Sequence, residues 1–257
     1  MHSQSDTIEL IPLRGIPMVA PGDDLPSILA AAIEQAGIEL EPEDVLVVCQ
    51  KVVSKAEGRV ARLGDVEPRP EAADFGREFD KDPAVVELAM AEAREILRKE
   101  RGHLITATGP GFICANSGLD RSNQNEEGEV TLLPVDSDAS AARLRAALEA
   151  TCGVAIGVIV SDTFGRPWRL GQLDVAIGAA GVAVLDDHGG RSDLGGRVLE
   201  HTQIAVADQL AAAAGLLAGK SAGVPAVLIR GAPGATGAAV GDRAADLVRP
   251  PEDDMFR

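Results

Sequence analysis

Asp120, Asp162 and Thr163 are the side chains of this chain best suited to holding a hard cation. Asp162 and Thr163 follow the apolar run 154–160, and Asp120 follows the shorter run 112–115. A magnesium or manganese ion carried by nucleotide phosphates takes one or two carboxylates and completes its shell with water and phosphate oxygens. Lys55, Arg166 and Arg169 are cations suited to neutralising phosphate, and the arginines can do so bidentately. Asp162 and Arg166, with Arg169, are therefore the candidate catalytic residues. Plainer roles stand beside these. Asp162-Thr163 is also a good turn or helix-cap pair, Asp120 a good Asx-turn residue, and Lys55 with Glu57 an ordinary solvated pair.

Three polar clusters, 50–55, 116–123 and 161–174, sit at the ends of apolar strands, where a rigid scaffold can carry a site. Residues 8–13, 45–49, 103–108, 112–115, 130–133, 182–185 and 224–229 read as strands. Apolar spacing predicts helices over 25–36, 83–100, 138–150 and 202–217. The proline- and charge-rich stretch 63–73 reads as an exposed connector, 230–241 as a glycine-rich loop, and the last residues as a tail that is frayed or docked by Phe256 alone. Strands and helices mix without regular βαβ alternation, which predicts an α+β fold. Gly219-Lys220-Ser221 looks like the end of a Walker loop, but it follows a helix and precedes a strand, the reverse of what a P-loop requires.

The 257 residues suffice for a sizeable core, and with aromatics at only 2% it must be built from Ala, Val, Leu and Ile. Trp168 is the only tryptophan and there is no tyrosine. A net charge of −16 argues against nucleic-acid binding. The three cysteines are scattered, which argues against a zinc knuckle or a disulfide framework. The histidines have no metal spacing, and no Ser-His-Asp or Cys-His signature occurs. No apolar run reaches the roughly 18 residues of a membrane span, and residues 1–9 are polar, so a cytoplasmic protein is expected.

Several ordered motifs together resemble a known family. They are Leu13-Arg14-Gly15-Ile16-Pro17, Val52-Val53-Ser54-Lys55-Ala56-Glu57-Gly58-Arg59, Ser117-Gly118-Leu119-Asp120-Arg121-Ser122-Asn123, Ser161-Asp162-Thr163-Phe164-Gly165-Arg166 and Gly171-Gln172-Leu173-Asp174-Val175-Ala176-Ile177-Gly178. Later segments around Asp193, Asp208 and Val224 to Gly231 fit too. The chain is similar to the coenzyme F420-0: L-glutamate ligases over residues 8–250, leaving 1–7 and 251–257 as tails.

The resemblance implies a large mixed sheet with flanking helices, an intertwined two-lobed protomer and a homodimer. It implies GTP as co-substrate, an acyl-phosphate intermediate, amide formation between F420-0 (or its dehydro form) and L-glutamate, and addition of further γ-linked glutamates. It implies Mg²⁺ or Mn²⁺ held by Asp120, Asp162 and Thr163, with K⁺ as a candidate accessory cation. The nucleotide would meet Arg14, Gly15, Ile16, Pro17, Gln50, Lys55, Asn123, Gly219, Lys220 and Ser221. Two positions depart from the pattern. Lys220 stands where some members have a metal-binding acid, and Gly195 where some have tyrosine. The segment 247–250 resembles the ligase half of a two-domain protein in which a flavin-reductase-like domain follows, so a stand-alone ligase and an excised half are both expected forms. The alternatives are a ligase for another phosphorylated acid, or a non-catalytic F420-binding domain that partners a reductase.

Overall fold

The structure, a computed structural model, describes residues 7–233, 235–236 and 242–256. Residues 1–6 of the leading tail, Arg257, and residues 234 and 237–241 of the glycine-rich loop lie outside the described residues. Strand β1 (Glu9–Leu13) leads to helix α1 (Leu25–Gln35), whose first turn is capped by Asp24 through the Ser27 amide and hydroxyl. Its buried residues Leu25, Leu29, Ala32 and Ile33 recur at helical spacing. Strand β2 (Val45–Cys49) is apolar throughout, and the chain turns from it directly into α2 (Gln50–Ala56).

The chain then departs into a smaller region: β3 (Val60–Arg62), α3 (Pro70–Phe79), α4 (Pro83–Ala91), β4 (Glu95–Glu100), β5 (His103–Ala107), β6 (Ile113–Ala115) and β7 (Glu129–Thr131). It returns through α5 (Ser137–Cys152), capped by Asp136 and closed by Gly153 in the left-handed conformation. The long hairpin β8 (Gly157–Arg166) and β9 (Arg169–Ala180) follows, then β10 (Leu185–Asp187), β11 (Gln203–Ala205), α6 (Val206–Ala218) and β12 (Ala226–Arg230).

The main sheet has the order β1-β12-β2-β8-β9, with β2 and β8 parallel and the other neighbours antiparallel. It is the mixed sheet of an α+β fold. Its core is aliphatic, as the composition requires, with Leu46, Ile159, Ile177 and Leu228 fully or almost fully buried between sheet and helices. A second core, formed by Ala72, Phe75, Val86, Ala89, Met90 and Leu104, sits in the inserted region beside the sheet β4-β5-β6.

Several expected elements change. The connector 63–73 contains the start of α3, whose charged surface conceals buried Ala72, Phe75 and Gly76. The helix over 83–100 ends at Ala91, and residues 95–100 pair with β5 instead. Lys99 there lies 5.4 Å from the centre of the Phe75 ring. Residues 203–205 form a strand before α6 begins, and the strand foreseen over 182–185 lies over 185–187.

Candidate active site

Strands β1, β2 and β8 end along one edge of the main sheet, and antiparallel β12 begins there. A cavity of about 620 Å³ opens at that edge, also lined by Ala214, Gly215 and Ala218 of α6. Its polar wall is built by three segments that are remote in sequence.

The first is α2. Because it starts at the residue after β2, Lys51 and Lys55 lie one turn apart on one face. The Lys51 ammonium pairs with Asp120 Oδ2 at 2.7 Å and donates to Ser122 Oγ at 2.8 Å and to the Ser122 carbonyl. Lys55, only 3% exposed, donates to the Asn123 carbonyl and to Asn125 Oδ1, both at 2.7 Å. Burial, and next the neighbouring Lys51 charge, lower the Lys55 pKa.

The second segment is the loop after β6. Asp120 is pinned by backbone hydrogen bonds to Thr131, and its Oδ1 accepts from the amide and the hydroxyl of Ser122. The Asx-turn role is therefore met by a carboxylate that also lines the cavity. Burial works against its charge, but the bonds from Lys51 and Ser122 prevail and hold it below the usual carboxylate range. Asn123 reaches across the cavity mouth to the Lys220 carbonyl at 3.1 Å.

The third is the hairpin. Asp162 and Thr163 lie inside the β8–β9 ladder, not in a loop beyond the strand. A bulge sits at Ile177, where Val160 faces Gly178 while Ser161 faces Ala176. Bulges re-aim neighbouring side chains and recur beside functional sites. Asp208 of α6 accepts from the Ala176 amide at 2.9 Å, which satisfies a backbone group at the bulge. Thr163 stands opposite Asp174, its hydroxyl donating to Asp174 Oδ1 at 2.7 Å and accepting from Lys220 at 3.1 Å. Burial pushes the Asp162 carboxyl up to about 7. The Asp120 and Asp174 charges add to the push, and the Thr163 amide and Lys220 oppose it.

The cavity thus brings together Ile16, Pro17, Lys55, Asp120, Asn123, Asp162, Thr163, Gly219, Lys220 and Ser221 of the expected set. Five expected residues do not line it. Arg14 is exposed, and Gly15 makes a left-handed turn against the Gln35 side chain. Gln50 is buried and accepts from Ser54, with its Nε2 unpartnered among the described residues. Arg166 and Arg169 flank the hairpin tip, where Arg166 donates to the Leu170 carbonyl at 3.3 Å.

Lys51, Ser122 and Asp174 line the cavity and were not foreseen. Lys51 would have emerged from reading 50–56 as a helix. Counting outward from the Pro167-Trp168 turn would set Gln172 opposite Thr163; the register shift between Gly165 and Arg166 brings Asp174 there instead, and only the structure shows that shift.

Among the described residues no three Asp, Glu, His or Cys side chains converge as a metal cluster. Magnesium carried by a nucleotide does not need one, since one or two carboxylates suffice when phosphates and water fill the rest. Asp162, raised chiefly by burial and further by neighbouring negative charge, and the Thr163 hydroxyl are hard oxygen donors of that kind, so the residues fit such an ion.

A fold that gathers opposed carboxylates, a hydroxyl and three lysines in one strand-end cavity defines an α+β protein built to handle a charged small molecule. Comparison with known sequences gives the family. The family model described as F420-0:Gamma-glutamyl ligase matches residues 15–231. A coenzyme F420:L-glutamate ligase of Methanothermobacter thermautotrophicus is 43% identical over 97% of this chain and 99% of its own length. Proteins of the same name from Methanopyrus kandleri (44%, covering 97% of both chains) and Methanocaldococcus jannaschii (38%, covering 100% of both) are similar over the same extent. The chain belongs to the F420-0:gamma-glutamyl ligase family.

Proposed function

We propose that the protein joins L-glutamate to the terminal carboxylate of F420-0, or of its dehydro form, at the expense of GTP. The observation that carries this reading is the single cavity in which Asp120, Asp162 and Thr163 meet Lys51, Lys55 and Lys220. A free carboxylate is a poor acyl donor, so a phosphate must first become its leaving group. An oxygen of the acceptor carboxylate attacks the γ-phosphorus of GTP, and the bond to the β-γ bridging oxygen breaks, releasing GDP. The glutamate amine then attacks the acyl carbon, inorganic phosphate departs and the amine loses a proton. Further glutamates join at γ-carboxylates by the same two steps.

In this reading Asp120, Asp162 and Thr163, with Asp174 behind Thr163, would hold Mg²⁺ or Mn²⁺, which would neutralise charge on the transferring phosphoryl group. The protein's own cations complete that field: Lys220 at Thr163, Lys51 on the same cavity wall, and Lys55 bracing the loop that carries Asn123. Preorganised charges of this kind dominate catalysis of phosphoryl transfer. The turn at Ile16-Pro17 and the segment 219–221 enclose the nucleotide, the latter tied to Asn123. Leu170 and Leu194 are fully exposed on projecting segments, which fits a homodimer that covers them. Of the described residues, no helix is long and apolar enough to cross a membrane.

The test is product analysis. Purified protein with F420-0, GTP, L-glutamate and Mn²⁺ should give GDP, phosphate and a product heavier by one or more glutamyl units. GTP hydrolysis without added glutamate, or no turnover with F420-0 while another phosphorylated acid is consumed, would reject the assignment.

A further inference from the structure

The geometry points to Lys51 as an exchangeable counter-cation. It neutralises Asp120 when no nucleotide is bound, and moves to a phosphate oxygen when a nucleotide-borne divalent cation takes its place. This rests on the reading of Asp120 as a metal ligand given above.

An ammonium has three protons, and all three of Lys51 are used: Asp120 Oδ2 at 2.7 Å, Ser122 Oγ at 2.8 Å, and the Ser122 carbonyl. It therefore has no free donor for a phosphate unless it releases one of these partners. Asp120 is equally committed. Its Oδ1 accepts from the Ser122 amide and hydroxyl, leaving Oδ2, the atom Lys51 holds, as the oxygen without a second partner. A divalent ion at Oδ2 and an ammonium in contact with the same atom repel strongly in a partly buried site. One must leave, and the ammonium is the one on a flexible four-carbon stem.

Lys51 lines the cavity, so its head can travel along the cavity wall without leaving it. Lys55, one turn later, differs. It is bound to the Asn123 carbonyl and Asn125 Oδ1, and Asn125 is itself tied to the Val19 carbonyl at 2.9 Å. These partners are neutral oxygens, not a carboxylate that draws a nucleotide-borne cation, so Lys55 is a fixed brace and Lys51 the mobile charge.

The exchange predicts opposite effects on two ligands. In the full chain, Lys51→Met keeps most of the buried stem and removes the competitor. Mn²⁺ alone, followed by electron paramagnetic resonance of the free ion, should bind about tenfold more tightly than to the wild type. Mg²⁺-GTP, followed by calorimetry, should bind about tenfold more weakly, because a phosphate partner is lost. Lys51→Arg keeps the charge and should leave Mn²⁺ binding near wild type. Lys51→Gln serves if thermal melts show that the methionine variant does not fold. A Lys51 with a purely structural role would weaken both ligands together, and that result, or unchanged Mn²⁺ affinity in Lys51→Met, overturns the exchange. Asp120→Asn separates the two layers. If it leaves Mn²⁺ affinity of the wild type unaltered, Asp120 is not a ligand, and the metal assignment falls with the exchange built on it.

Discussion

The Thr163 hydroxyl and the Asp174 carboxylate meet at 2.7 Å across the β8–β9 hairpin, directly opposite one another in the strand register. Lys220 donates to the same hydroxyl, so hydroxyl, carboxylate and ammonium form a short chain along one wall of the cavity. Asp174 can occupy that place because α6 carries Gly215 beside it. A Cβ at residue 215 would lie 2.5 Å from Asp174 Oδ2.

Gly215→Ala should therefore separate stability from activity. Alanine is favoured over glycine in a helix interior by roughly 1 kcal/mol, and the displaced atom is the free end of a flexible carboxylate. The denaturation midpoint should hold or rise. Turnover should fall by about tenfold or more, since small displacements of positioning groups are costly to a reaction. Midpoints from urea unfolding and steady-state rates on the same preparation decide it, and wild-type turnover would show that the placement of Asp174 is immaterial.

A second glycine does the opposite. Gly178 packs β9 onto the start of α5, and a Cβ there would sit 2.2 Å from the Ser137 carbonyl oxygen. Backbone cannot step aside as a side chain can. Gly178→Ala should destabilise by about 1–3 kcal/mol through overpacking. Gly165→Ala, on the same hairpin with nothing within 4 Å of the added carbon, should stay within about 0.5 kcal/mol of wild type. Equal midpoints for the two variants would contradict the close approach of α5 to β9.

The contrast between these glycines shows what the sequence could and could not reveal. The buried strands were legible, because unbroken apolar runs such as 45–49 leave few other options. Asp120, Asp162 and Thr163, polar groups placed after such runs, do meet in one cavity. What stayed hidden depended on partners distant in sequence. Residues 95–100 have helical apolar spacing, yet hydrogen bonding to β5 decides their conformation. Lys51 gains its meaning only from a loop 71 residues away, and Gly215 only from Asp174. The arginines at 166 and 169 suit phosphate chemically, but the ladder continues through Arg166 and carries both to the hairpin tip.

At that tip, Trp168 is 82% exposed and its ring meets Phe256 edge-on, with centroids 4.8 Å apart. Arg98 also reaches the Phe256 carbonyl, at 3.4 Å. With one tryptophan and no tyrosine in the chain, fluorescence reports on this contact alone. Phe256→Ala should shift the emission to the red and increase quenching by acrylamide, with little change in stability. An unchanged spectrum would mean that the two rings are apart in solution.

Asp162 offers the most demanding test, because its sign is set by linkage. Burial, joined by the Asp120 and Asp174 charges, raises its carboxyl from 3.8 to about 7 in the folded chain. Between those values the folded state binds more protons than the unfolded state, so stability falls as pH rises through the window and the loss is complete above it. Asp162→Asn carries no such penalty. Without divalent ions it should be more stable than wild type near pH 8, on the order of 1–3 kcal/mol, with the gap closing toward pH 4. Mn²⁺ should raise the wild-type melting temperature near pH 8, by stabilising the ionised carboxylate, and leave the variant almost unmoved. Turnover by wild type should rise with pH as the carboxylate ionises, at a pH below the metal-free midpoint of about 7 because the bound ion favours the ionised form, and the variant should be inactive at every pH. Melting curves with and without Mn²⁺ across this range test both halves. A variant less stable than wild type near pH 8 in the absence of metal would reverse the sign and show Asp162 to be held by partners that favour its charge.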